Sequence, residues 1–66
     1  MNTYKTQIGK DEVQITSHRA DADQYIPLHE GDRTHIAKSI ESGQSKGEIT
    51  VNYNRLLYVL EWKVIQ

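Results

Sequence analysis

The residues best suited to chemistry are three histidines, His18, His29 and His35, with the carboxylates Asp21, Asp23, Glu30 and Asp32 among them. Imidazole and carboxylate together suggest a divalent metal. A zinc site, however, needs ligands that converge within about 2.2 Å, usually from a compact pair plus others. No His-x-x-x-His or Glu-x-x-His pair is present, and His29 and His35 stand too far apart to share one helical face. Asp21-x-Asp23 begins like a calcium loop, but Tyr25 occupies the next ligand position and no glycine follows it. These residues read as dispersed, solvated polar groups, and no metal site is expected.

Nucleophilic catalysis requires a hydroxyl beside a base, with a third group to orient the base. Ser17 and His18 are adjacent, so on a strand their side chains point to opposite faces. His35 and Ser39 lie one helical turn apart, where an ordinary surface pair is the default. The segment Ser42-Gly43-Gln44-Ser45-Lys46-Gly47 resembles a phosphate loop in composition. It follows an expected helix, so no helix N-terminus is available to hold an anion. The chain is read as non-enzymatic, with no cofactor.

Charge and composition exclude further classes. Eight Lys and Arg against nine Asp and Glu give a net charge of -1, so there is no general attraction to nucleic acid or to an anionic membrane. Met1 leads into polar residues with no apolar stretch behind it, so no signal peptide is expected. The longest apolar run, Leu56 to Leu60, is far too short to span a bilayer. Cysteine is absent, which removes disulfides and thiolate metal sites and suits a cytoplasmic protein. Sixty-six residues make one small domain, 1–66.

The positioning elements follow from periodicity. Tyr4, Thr6 and Ile8 alternate, then Gly9-Lys10-Asp11 signals a turn, then Val13 and Ile15 alternate; the pair reads as a β-hairpin. Ile36, Ala37 and Ile40 form a narrow apolar stripe at helical spacing, with Asp32 as the expected N-cap and Gly43 as the stop. A start as early as Pro27 would add Leu28 to the stripe but place Gly31 inside the helix, at a cost of about 1 kcal/mol against Ala. His35 stands where a capping box anchored on Asp32 would need Glu or Gln, so no capping box is expected. After a loop over Gln44 to Gly47, Ile49, Val51 and Tyr53 mark a third strand. Asparagines 52 and 54 supply turn chemistry before the last strand.

That last strand carries the strongest signal. One face is Leu56, Tyr58, Leu60, Trp62 and Val64; the other is Leu57, Val59, Glu61, Lys63 and Ile65. The first is expected in the core. The second is too apolar for a face bathed in water. The expected fold is α+β: a small, four-stranded, mostly antiparallel sheet in the order β-β-α-β-β, with one helix packed on one face. The last strand is expected inside the sheet, paired with Glu48–Tyr53 and with the first strand.

Two surfaces then suggest partners. Leu57, Val59 and Ile65 project from the face that one helix leaves bare, which points to self-association as a homodimer. A fold-back of the 19–32 connection over the same face, through Tyr25, Ile26 and Leu28, is the alternative. Within that connection Asp21, Asp23, Tyr25, His29 and Glu30 surround an apolar centre and are the expected partner-binding residues, unless Ile26 and Leu28 merely close one end of the core. The functional expectation is a non-catalytic protein-interaction module, an adaptor or inhibitor of another protein. The alternative is a single-stranded nucleic-acid binder that stacks bases on sheet tyrosines such as Tyr4, Tyr53 and Tyr58. A continuous positive face over exposed tyrosines would favour the alternative.

Overall fold

The computed structural model describes residues 2–18 and 26–65. Four strands and one helix follow in the order β1 (Asn2–Ile8), β2 (Asp11–Ser17), α1 (Glu30–Glu41), β3 (Lys46–Tyr53) and β4 (Leu56–Val64). The sheet is antiparallel throughout, with strand order β1-β2-β4-β3, and α1 touches both edge strands, β1 and β3. The expected α+β architecture is therefore the one observed.

Both hairpins close with two-residue turns whose twist matches that of the strands. Gly9 sits at φ 63° between Ile8 and Asp11, at the position where only glycine is unstrained. Asn54 and Arg55 sit at φ 55° and 67° between Tyr53 and Leu56. Asparagine tolerates this conformation, whereas Arg55 holds it at a cost of about 1 kcal/mol.

Period-2 alternation divides the chain between two faces. Val13, Ile15, Ile49, Val51, Tyr58, Leu60 and Trp62 are buried on one face, beneath Ile36 of the helix, with Ala37 and Ile40 packed at the margin. Ile26 is 2% exposed and Leu28 packs against the same cluster. The Tyr4 hydroxyl donates to the Ile26 carbonyl, which ties the approach to the helix onto β1. Ile26 and Leu28 thus close the core, and neither covers the opposite face.

Several expectations are corrected. β4 lies inside the sheet, but its second neighbour is β2 and not β1. Val13 faces Val64 and Ile15 faces Trp62 across that pairing. Placing β1 there would leave β2, with the fully buried Val13 and Ile15, at the sheet edge. Leu56, expected in the core, is 43% exposed because it opens β4 at the hairpin turn. Lys46 and Gly47, expected in a loop, belong to β3, since the ladder continues until the Val64 N–H reaches the Ser45 carbonyl at 2.8 Å.

The helix also starts earlier than expected, at Glu30, with His29 and not Asp32 as N-cap. Asp32 acts from inside the first turn: its carboxylate accepts the His29 N–H at 3.1 Å, filling the role that Glu or Gln usually has in a capping box. Glu30 and Asp32 also place negative charge at the positive end of the helix dipole. At the other end Gly43, at φ 104°, donates to the Ile40 carbonyl, and Gln44 donates to that of Ser39. This is the glycine-terminated arrangement the sequence signalled. The Arg33 guanidinium reaches from the helix to Thr6 Oγ1 at 3.0 Å and to the Gln7 carbonyl.

Trp62 is 2% exposed and lies opposite Gly47 in the β3–β4 register. A Cβ on residue 47 would come within 2.9 Å of the indole Nε1. The glycine is therefore the space the indole occupies. Trp62→Ala is expected to lose about 3 to 5 kcal/mol in denaturant melts. Gly47→Ala is expected to destabilise the native chain and to become harmless in a Trp62→Ala background. Equal cost in both backgrounds would show that the two residues do not share the space. Ser17 is 3% exposed, and its hydroxyl has no hydrogen-bond partner among the described residues. Ser17→Ala should therefore stabilise the fold, by about 1 kcal/mol, by removing an unsatisfied buried group; a loss of stability would mean the hydroxyl is paired.

Candidate interaction surface on the open sheet face

The helix covers one face of the sheet, and the strand registers fix what stands on the other. Across the sheet run rows of side chains, one from each strand. Lys5, Gln14, Lys63 and Lys46 form one row; Thr3, Thr16, Glu61 and Glu48 form the next. Beyond the acidic row, Val59 is opposite Thr50, and Leu57 is opposite Asn52. Beyond the lysine row lie Gln7 and Glu12, with Ile65 alongside, its N–H donating to the Glu12 carbonyl at 2.9 Å.

Lys46 therefore faces Lys63, and Glu48 faces Glu61, directly across β3 and β4. The two-residue turn makes Tyr53 and Leu56 a hydrogen-bonded pair, so alternate pairs along the hairpin are of the other kind. Both like-charge pairs fall at these non-hydrogen-bonded positions, where side chains stand closest. Like charges directly opposite destabilise a sheet by about 0.2 to 1 kcal/mol. Attraction between the adjacent rows offsets part of this. None of Lys46, Lys63 and Glu48 has an ion-pair partner within 4.0 Å among the described residues; the contacts of that kind are Lys5–Glu12 at 3.8 Å and His18 Nε2–Glu61 Oε2 at 3.1 Å, the second an ion pair only when the imidazole is protonated.

The face is uneven. An open depression of about 480 Å³ runs over the two charged rows, lined by Gln14, Thr16, Lys46, Glu48, Glu61 and Lys63 among others. A second, of about 390 Å³, lies between His18, Glu48, Leu57, Val59 and Glu61. Leu57 is 64% exposed and Val59 51%, so two of the three expected self-association residues are largely exposed. Ile65 is half-buried.

The expected partner-binding residues divide. His29 and Glu30 are exposed at the start of α1, on the helix side of the sheet. Asp21, Asp23 and Tyr25 lie outside the described residues. No group of three or more His, Asp or Glu side chains among the described residues could hold a metal ion. The Ser39 hydroxyl donates to the His35 carbonyl at 3.0 Å, so this pair meets through the backbone and not as base and nucleophile. Tyr4, Tyr53 and Tyr58 all lie on the helix side: Tyr58 is buried, while Tyr53 and Tyr4 are half-buried. The lysines of the open face share it with acids, and no tyrosine among the described residues stands on it.

The paired rows are not legible in the sequence because residues 46 and 63 become neighbours only through the β3–β4 register. Lys46-x-Glu48 and Glu61-x-Lys63, in opposite order on antiparallel strands, were the available signal. No helix among the described residues is long and apolar enough to cross a membrane. The chain matches no protein-family model, no curated protein and no solved structure.

Glu48→Gln is expected to raise the stability of the monomer by up to about 1 kcal/mol at low ionic strength. The gain should shrink towards zero as salt approaches about 1 M. Urea melts in dilute protein at both ionic strengths measure it, and a gain that ignores salt would assign the effect to something other than repulsion.

Proposed function

We propose that this chain is a non-catalytic protein-interaction module, acting in the cytoplasm as an adaptor or inhibitor, and that it docks through the open face of its sheet. The observation that carries this reading is the local conflict on that face. Two like-charge pairs stand side by side next to exposed Leu57 and Val59. A sequence selected only to fold would place opposite charges at the closest cross-strand positions and keep aliphatic residues off a bare face. Violations of this kind cluster where a surface has another use. A surface of mixed charge with an aliphatic margin suits another protein, since exposed apolar groups gain by burial and charged groups set orientation. The placement of the tyrosines on the helix side favours this reading over nucleic-acid stacking.

A photo-crosslinking residue placed at Thr50, Glu30 or Lys38 tests the assignment in cells. Thr50 is on the open face, Glu30 at the start of α1, and Lys38 on the outer surface of the helix. A discrete protein adduct from Thr50, absent from Lys38 and competed by excess unlabelled chain, is the expected result. An adduct from Glu30 alone would move the contact to the segment around His29 and Glu30. Retention on a single-stranded nucleic-acid column that falls steeply with salt would replace the proposal with the nucleic-acid reading.

A further inference from the structure

The charges on the open face are ordered, and Lys46, Lys63 and Glu48 have no ion-pair partner among the described residues. Lys63 and Lys46 occupy one row of β4 and β3, and Glu61 and Glu48 the next. Consider a line across the strands between these rows. Half a turn about it carries the lysine row onto the acidic row and leaves each strand over its own copy. We infer that the occupant of the open face is a second copy of this chain, docked face to face about that two-fold axis. The inference rests on reading this face as an interaction surface.

The match extends beyond the central rows. Lys63 meets Glu61 of the second copy and Lys46 meets its Glu48, each contact occurring twice by symmetry. One row further out, the rotation sets exposed Val59 against Ile65. His18, which follows β2 and contacts Glu61, is brought over Glu12. Lys5, at the β1 edge, lies over neutral Thr3. A two-fold axis along the strands fails the same test. It lays β1 over β3 and each row on itself, so that Lys5 faces Lys46 and no acid meets a lysine. Of these two axes, the charge pattern selects the one that runs across the strands.

Dimensions agree with a modest dimer. Packed sheets stand about 10 Å apart, a gap that opposed lysine and glutamate side chains can bridge. The molecule measures 31 × 20 × 15 Å, so its broad face offers at most about 600 Å² per copy, and the overlap is smaller because the Leu57–Asn52 row extends past the second copy; this is at or below the low end for specific interfaces. Charged pairs make up much of the contact, and their desolvation offsets much of their attraction. The expected dimer is of micromolar strength and sensitive to salt, with the like-charge repulsion of the monomer relieved by opposite charges from above.

Sedimentation over a concentration series, at low and high salt, tests this with charge reversals. Lys63→Glu alone places two acids against one another, and Glu61→Lys alone places two lysines together. Each variant should self-associate at least about tenfold more weakly than the native chain. An equimolar mixture of the two should form a heterodimer, because each reversed residue then meets its complement. The double variant Lys63→Glu with Glu61→Lys should recover the homodimer. Lys46→Glu and Glu48→Lys repeat the test on the edge strand, should a β4 variant fail to fold by circular dichroism. Val59→Lys should also shift the native dimer to monomer. A native chain that stays monomeric to high micromolar concentration, single reversals that dimerise undiminished, or a mixture that stays monomeric would each overturn the second copy as occupant. A monomeric chain that still yields an adduct to a different protein from Thr50 would remove the dimer and keep the docking surface; loss of that adduct as well would remove both.

Discussion

One helix can cover one face of a four-stranded sheet, and the rest of the molecule is arranged around that limit. α1 is about 18 Å long at 1.5 Å per residue, and the two outer strands stand about 14 Å apart, so the helix reaches from one edge strand to the other and no further. Every buried apolar side chain of the sheet therefore has to leave from the same side. Period-2 alternation meets this demand in each strand. Registers that align Val13 with Val64, Ile15 with Trp62 and Ile49 with Leu60 place those side chains together. The indole of Trp62 fits only because residue 47 has no side chain, so the core depends on a glycine that no turn requires.

The same limit leaves the other face of the sheet without a helix among the described residues. Its residues could have been uniformly polar, as they are over most of β1 and β2. On β3 and β4 they instead form two like-charge pairs with an aliphatic margin. Each pair taken alone is a small local cost. Two of them in adjacent rows, with signs reversed, make a pattern that is self-complementary under one rotation and frustrated in the isolated chain. The element that organises the core, β4, also carries Leu57, Val59, Glu61 and Lys63 outward.

Much of this was legible in the residues themselves. The strands, the helix and its glycine stop, the inward set apart from Leu56, and the exposure of Leu57 and Val59 all follow from short-range spacing. The helix start is ambiguous in the sequence because Asp32 is as good a residue at the third helical position as at the cap, and its hydrogen bond to the His29 N–H decides between them. Lys46 and Gly47 resemble a loop in the sequence because glycine marks turns far more often than it makes room for an indole across a strand.

Composition, periodicity and turn chemistry determined that this is a small α+β chain with one apolar sheet face and a second that is only partly polar. Those properties are local, written within a few residues along the chain. Tertiary structure alone decided that β4 lies between β3 and β2. It also decided that Ile26 and Leu28 seal the core, and that Lys46 meets Lys63 while Glu48 meets Glu61. The physical reason is register. A pairing between distant strands is set by how buried side chains fit, and a slip of one residue would exchange the two faces. The order of charges on the open face exists only once that fit has been made.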